Sequence, residues 1–163
     1  MIEQSHQPSG CLYVVATPIG NLADLSQRAV ETLRQCDWIA CEDTRKTGCL
    51  LKAHGISQSL HAYHEHNERH QAIKLAERVA KGQYGAVVTD AGTPGVSDPG
   101  FRLVRECRRL GLPVSPLPGP TATLAALMAS GLPGDGFLFT GFLPPKSAAR
   151  QTFLRRHQDL PCC

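Results

Sequence analysis

The strongest constraint on the fold is the alternation of short β-type runs with segments long enough to form helices. In chain order the β-type runs read CLYVVA, DWIAC, SLHAY, GAVVT, PVSPL and FLFTG. Amphipathic segments of helical length separate them. Alternation of this kind is typical of βαβ units, in which helices carry the chain from one parallel strand to the next. We therefore expect an α/β fold with a largely parallel sheet flanked by helices.

The sequence also predicts where domains begin and end. The polar first ten residues, MIEQSHQPSG, lack a signal-peptide core and predict a disordered tail over 1–10. An N-terminal α/β domain is predicted over 11–141. The following GFLPPK contains paired prolines that resist helix and strand alike. Residues 142–163 are therefore expected to form a linker and the truncated start of a second domain.

One predicted helix follows the last proline-rich turn of the α/β domain. Gly119-Pro120 is suited to open it. Its apolar residues Leu124, Leu127 and Met128 recur at helical spacing, so we expect them to form a buried stripe.

Cysteine usage and charge indicate the compartment and the kind of partner. The seven cysteines are an odd number without a C-x-x-C pair, which favours free thiols in a reducing compartment. No run approaches the roughly 18 apolar residues of a membrane span. We therefore expect a cytoplasmic protein. Residues 81–163 carry 9 basic and 5 acidic side chains, an excess that favours an anionic partner.

Three segments rich in glycine and proline follow predicted strands: TPIGN, DAGTPGVSDPG and PGPTA. Such loops are rigid, and their backbone amides and carbonyls can approach a flat ligand closely. Tight turns use the same residues for geometry alone, so each loop taken singly has that alternative explanation. The G-x-G-x-x-G and G-x-x-x-x-G-K-[ST] signatures are absent from these loops, which disfavours a common nicotinamide or nucleoside-triphosphate site.

Two carboxylates and a guanidinium follow the second predicted strand. Glu42, Asp43 and Arg45 are suited to orienting a hydroxyl group or sharing a proton. The alternative is structural, because Asp43 or Thr44 can cap the next helix while Arg45 pairs locally.

Histidines and arginines form two further groups. The histidines are His61, His64, His66 and His70. Their spacing favours a polar or RNA-facing loop over a metal site, because no distant cysteine or carboxylate partner is marked out. The arginines Arg102, Arg105, Arg108 and Arg109 lie on one predicted helix. A solvated helix face explains them better than a phosphate site.

Several motifs, taken in order and spacing, resemble the ribosomal RNA small subunit methyltransferase I family. They are LYVVATPIGNLADL, ACEDTRKTGCLL, HEHNE, DAGTPGVSDPG, PLPGPTA and SGLP followed by GFLPPK. The resemblance runs from about Cys11 to Arg156. It implies membership of the tetrapyrrole methylase-like superfamily, and hence a two-domain α/β fold distinct from the Rossmann-like methyltransferases.

The resemblance also implies a reaction and a cofactor. The reaction is methyl transfer from S-adenosylmethionine to the ribose 2′-hydroxyl of a cytidine in 16S ribosomal RNA, with the cofactor held in the cleft between the two domains. The implied partners are 16S RNA or the small ribosomal subunit, and a second copy of the chain in a homodimer. Residue by residue, the implied cofactor contacts are Pro18, Gly92, Thr93, Val96, Thr121 and Ala122.

The acceptor hydroxyl determines which catalytic groups the reaction requires. A ribose hydroxyl is a poor nucleophile, so a carboxylate or histidine within hydrogen-bond reach is expected to help remove its proton. The candidates are Glu42, Asp43 and His64, with Arg45 and Asn67 orienting the substrate.

The chain departs from the family pattern at its end, since QDLPCC stands where the pattern continues into a second domain. We therefore expect a truncated form with impaired activity. A non-catalytic remnant or dimerisation module of the family is the alternative. A metal-dependent hydrolase that uses the histidines with Asp90 and Asp43 is a third, less favoured one.

Overall fold

A computed structural model describes residues 10–158 and residue 160. Contacts divide the chain into two compact units, one up to Thr121 and one from Ala122 onward. The predicted domain boundary at 141 falls inside the second unit and stays a prediction. The predicted tail lies outside the described residues except for Gly10, which is buried and donates its N–H to the Val79 carbonyl at 3.1 Å.

The first unit is built on a five-stranded sheet. Its strands are β1 (Leu12–Val15), β2 (Trp38–Cys41), β3 (Leu60–Ala62), β4 (Gly85–Val87) and β5 (Val114–Leu117). Their order in space is β3-β2-β4-β1-β5, and every pair of neighbours is parallel. The prediction of an α/β fold with a parallel sheet is therefore confirmed.

Helices connect the strands of the first unit, after a 3-10 turn at Leu22–Asp24 that follows β1. They are α1 (Gln27–Gln35), α2 (Thr44–Ala53), α3 (Glu68–Ala80) and α4 (Phe101–Arg109). The second unit contains α5 (Ala122–Ser130) and α6 (Ser147–His157). Among the described residues, none of these helices has the length and apolarity needed to cross a membrane.

Strand side chains point alternately to the two faces of the sheet, and both faces are covered. Trp38 and Val87 belong to a core cluster with side chains of α3 and α4. Ile39 and Ala86 belong to a second cluster with side chains of α1 and α2. A Cβ atom at Gly85 would overlap the Trp38 ring, which shows how closely β4 and β2 approach. Because both faces are buried, only the ends of the strands remain for a binding site.

Two expectations for the region after Thr121 are wrong. The run Phe137–Gly141 has no strand. The stripe predicted on α5 is not buried, because Met128 is 86% and Leu124 is 46% exposed, and only Leu127 is half-buried. The physical reason is that the described part of this unit has two short helices and no strand, so the unit itself offers α5 no sheet of its own to cover the stripe.

Candidate functional site

The carboxyl ends of the five parallel strands lie at one edge of the sheet, where ligands of open α/β folds bind. Strands β4, β1 and β5 are neighbours in that order, and each is followed by one of the glycine- and proline-rich loops. Strands β3 and β2 are followed by the polar segments. The edge therefore has a glycine/proline half, after β4, β1 and β5, and a polar half, after β3 and β2.

Hydrogen bonds join the first two loops of the glycine/proline half. Thr17 donates its N–H to the Gly92 carbonyl at 2.9 Å and accepts from the Gly92 N–H at 3.0 Å. The buried Thr17 hydroxyl donates to the Thr89 carbonyl at 3.1 Å. Gly92 has a φ of 89°, a conformation that side chains rarely adopt. The loops after β1 and β4 are thus fixed to one another by the backbone.

The third loop approaches the other two closely. The Thr93 hydroxyl donates to the Pro120 carbonyl at 3.3 Å. A Cβ atom at Gly119 would lie 2.9 Å from the Ala16 Cβ, closer than real Cβ atoms come, so this position requires glycine. Preorganised backbone of this kind is what a site for a flat ligand needs.

The predicted cofactor contacts fall on this half of the edge, with one exception. Pro18, Thr93 and Thr121 are half-buried, Gly92 is buried, and Val96 is 43% exposed. Ala122 is the first residue of α5 and of the second unit. Exposed apolar surface from Val96, and from Ile19 after β1, lies beside backbone held in fixed positions. Exposed apolar surface beside rigid backbone is typical of a site for a flat ligand.

In the polar half, the structure separates the two adjacent carboxylates by environment. Asp43 is the N-cap of α2, accepts from the Arg45 N–H at 2.8 Å, and pairs with the 89% exposed Arg45 guanidinium. The hydrogen bond from the Arg45 side chain holds the pKa of Asp43 well below its usual range. Burial raises the pKa of Glu42, and the charges of Asp90 and Asp98 add to this. Glu42 is therefore the stronger base of the pair.

Asp90, three residues after the end of β4, connects the polar segment after β2 to the loop after β4. One carboxylate oxygen accepts from the Asp43 N–H at 3.1 Å, and the other lies 2.7 Å from the Lys46 Nζ. Neither Asp90 nor Lys46 is among the site residues predicted for methyl transfer. Local sequence gives no signal for this contact, because it depends on β2 and β4 being neighbours in the sheet.

His64 and Asn67 follow β3. Asn67 accepts from the His64 N–H at 2.9 Å and donates its side-chain N–H to the Ala62 carbonyl at 3.0 Å. Asn67 thus stabilises the turn, and its predicted role in orienting the substrate stays a prediction. The Nδ1 atom of His64 is buried and has no hydrogen-bond partner in the described part of the protein.

The remaining histidines and arginines do not assemble a site of their own. Within residues 10–158 and 160, no group of three or more histidine, cysteine, aspartate or glutamate side chains could hold a metal ion. The metal-dependent hydrolase alternative therefore gains no structural support. On α4, Arg102 pairs with Glu68 at 2.6 Å and Arg109 pairs with Glu106 at 2.6 Å, so local carboxylates offset two of the four charges.

Comparison with known proteins gives this arrangement a family. The profile described as Tetrapyrrole (Corrin/Porphyrin) Methylases matches residues 11–159. The chain belongs to this family. Methyltransferases of this family use S-adenosylmethionine as the methyl donor, which is consistent with the glycine/proline half of the edge.

Curated relatives narrow the resemblance. The chain is 52% identical over 159 residues to "Ribosomal RNA small subunit methyltransferase I" of Escherichia coli O157:H7, covering 98% of this chain and 56% of that protein. It is 55% identical over 150 residues to the protein of the same name from Mesorhizobium japonicum, covering 92% and 51%. The resemblance predicted from the motifs is confirmed. The chain spans about half the length of these curated relatives.

Solved structures support the fold alone. A uroporphyrin-III-C-methyltransferase from Thermus thermophilus aligns with a TM-score of 0.57 at 23% identity, covering 76% of this chain and 54% of that one. A diphthine synthase aligns with a TM-score of 0.63 at 18% identity, covering 79% and 52%.

Proposed function

We propose that this chain supplies the cofactor-binding half of an S-adenosylmethionine-dependent methyltransferase that methylates the ribose 2′-hydroxyl of a cytidine in 16S ribosomal RNA. The observation that carries the proposal is the pair of backbone hydrogen bonds between Thr17 and Gly92. They lock two glycine/proline loops together beside the acidic segment after β2. Relatives named for methylation of small-subunit RNA support the substrate class.

On the donor side, the role of the chain is to bind and orient the cofactor. S-adenosylmethionine supplies a methyl group on a sulfonium, which is already an activated leaving group. Pro18, Gly92, Thr93 and Val96 are the contacts that we assign to it in the loops after β1 and β4, and Thr121 and Ala122 are those that follow β5. The contribution of these residues is positioning, because an in-line approach of the acceptor lowers the barrier without acid catalysis.

On the acceptor side a base is needed for the ribose hydroxyl. Glu42 is the leading candidate, because its raised pKa makes it a better proton acceptor than Asp43. His64 is the second, through its unpartnered Nδ1. Asp43 and Arg45 contact each other and shape the start of α2, and Asn67 holds His64 in place.

The proposal is tested by determining which nucleotide receives the methyl group and whether it is attached to the ribose or to the base. The chain is joined to the remaining half of the Escherichia coli relative and incubated with labelled S-adenosylmethionine and unmethylated small subunits. We expect label on one cytidine, in a nucleotide whose 3′ bond resists alkali, because the hydroxyl that attacks that bond is methylated. Label on a base would contradict the ribose assignment.

A protein-binding role is the second candidate function, and one observation favours it. In the second unit many large apolar side chains are exposed, with Met128 at 86% and Phe142 at 88%, and apolar surface of this kind marks protein–protein contact where it is contiguous. A homodimer or a non-catalytic dimerisation module of the family would cover such surface. Sedimentation velocity of the purified chain over a range of concentrations tests this role. A chain that stays monomeric at every concentration would contradict the dimer.

A further inference from the structure

A cleft of about 360 Å³ lies where the loop after β4 faces the segment after β3, entirely within the first unit. Its lining residues come from the segment after β3, from the loop after β4 and from the start of α4: Glu65, Glu68, Gly95, Ser97, Asp98, Pro99 and Phe101. The roles assigned above to the cofactor and to the proton acceptor use none of these side chains. The cleft is large enough for a nucleobase, and the chemistry of its lining indicates which ligand it can bind.

An exposed aromatic ring forms one wall of this cleft. Phe101, the first residue of α4, is 59% exposed although it is apolar. The guanidinium of Arg105 lies 5.4 Å from the centre of its ring, within the range of a cation–π contact. Aromatic rings paired with arginine are the surfaces on which proteins stack unpaired bases of RNA.

Carboxylates supply the polar wall. Glu68 is engaged by Arg102, whose Nε lies 2.6 Å from it. Asp98 is half-buried, and its charge contributes to the raised pKa of Glu42, so the two carboxylates are electrostatic neighbours. The loop that carries Asp98 is also hydrogen-bonded beside Glu42, because the Asp43 N–H donates to the Asp90 carboxylate at 3.1 Å. The cleft and the group that we assign to the ribose hydroxyl therefore share the same stretch of the sheet edge.

We propose that this cleft holds the nucleobase of the acceptor nucleotide, stacked on Phe101 with its exocyclic amine donating to Asp98. This inference rests on the proposed function and adds the element that selects the base. Cytosine carries an amine at position 4 that donates to a carboxylate, whereas uracil carries an oxygen there that a carboxylate repels. The pocket thus favours cytidine over uridine.

A cation is the obvious competing occupant of an acidic cleft, and the structure disfavours it. No metal-holding group of side chains occurs among the residues that the structure describes. A hydrated cation also gives no reason for an exposed phenyl ring in the lining.

The test places a fluorophore in the cleft. Phe101→Trp keeps an aromatic surface, and the native Trp38 is fully buried and gives a constant background. Tyr84→Trp is the matched control, because Tyr84 is 45% exposed and directly precedes β4, at the opposite edge of the sheet. Each variant of the full chain is titrated with oligouridylate and with oligouridylate that carries one central cytidine.

We expect the cytidine-containing RNA to quench Phe101→Trp and not Tyr84→Trp, with an affinity about 5-fold or more above that for oligouridylate. Adding Asp98→Asn should abolish this preference, because an amide can donate to uracil as well as accept from cytosine. Phe101→Ala should weaken RNA binding about 5- to 150-fold, the range for loss of one stacked base.

Absence of quenching in Phe101→Trp overturns the pocket, and equal affinity for the two RNAs overturns the role of Asp98. Quenching of Phe101→Trp by S-adenosylhomocysteine without RNA also overturns the nucleobase pocket, since the cleft would then belong to the cofactor. Calorimetry with S-adenosylhomocysteine separates the two proposals. Cofactor binding without an RNA response refutes only the pocket, and an RNA response without cofactor binding refutes only the donor assignment.

Discussion

The two halves of the sheet edge are built by different means. In the glycine/proline half, the backbone fixes the geometry: Thr17 and Gly92 exchange hydrogen bonds, and Gly119 lies against Ala16. In the polar half, side chains do so, with Asp90 holding both the Asp43 N–H and the Lys46 ammonium. A backbone-built site is insensitive to pH and salt, whereas a side-chain-built site responds to both. Under the function that we propose, this division corresponds to a cofactor held rigidly beside a group that transfers a proton.

The largest expected effect belongs to the polar half. Glu42→Gln should lower the rate of methyl transfer about 100-fold or more, because it removes the proton acceptor. S-adenosylhomocysteine affinity should stay unchanged. The rate is measured with the chain joined to the remaining half of the Escherichia coli relative, and Glu31→Gln on α1 is the matched control. An undiminished rate would remove Glu42 from the mechanism.

A substitution in the glycine/proline half should instead change the affinity for the cofactor. Gly92→Ala places a side chain at a φ of 89° and should weaken S-adenosylhomocysteine binding about 5- to 150-fold, from strain of about 1–3 kcal/mol in the bridge to Thr17. Gly48→Ala is the control, since Gly48 lies inside α2 and a Cβ there makes only an ordinary contact with Leu60. Equal calorimetric affinity in both variants would show that the bridge does not shape the cofactor site.

Asp90→Asn probes the connection between the halves. Its negative charge helps to raise the pKa values of Glu42 and Asp98, so its removal should lower both. Glu42 is then deprotonated at lower pH, and the acid limb of the kcat/KM profile should move to lower pH. We expect a smaller change in the rate at pH 7 than in either case above. A profile that stays in place would mean that Glu42 is not the titrating base.

The smallest expected effect is structural. Asp43→Ala removes the cap of α2 and should lower the melting temperature by about 3 °C. Because the folded-state pKa of Asp43 is depressed, its contribution is present above its ordinary pKa of 3.8 and is lost as the pH falls through the lowered value. The difference between the variant and the parent should therefore shrink in acid. A constant difference would assign the effect to packing instead of charge.

Much of the first unit could be predicted from the sequence, because its pattern is local. Five of the β-type runs became strands, and the loops after them lie at one edge. The run Phe137–Gly141 is also rich in residues that favour strands, but it forms no strand. Strand formation needs a neighbouring strand, and the local pattern cannot show whether one is present. Met128 was misplaced for the same reason: helical spacing marks an apolar face without showing what covers it.

The contacts that organise the polar half were the hardest to predict. Asp90 and Lys46 are distant in sequence and meet only because β4 inserts between β1 and β2. The competing explanations for Asp43 were both visible in the sequence, and its capping bond to Arg45 emerged only in the structure. Strand order thus decides which of the polar residues can act together.

The most direct test of the account is calorimetric titration of the 163-residue chain with S-adenosylhomocysteine. If the glycine/proline half is a preformed cofactor site, the chain alone should bind with micromolar affinity and Gly92→Ala should weaken that binding. Binding that arises only after the chain is joined to the remaining half of a full-length relative would contradict a preformed site in this chain.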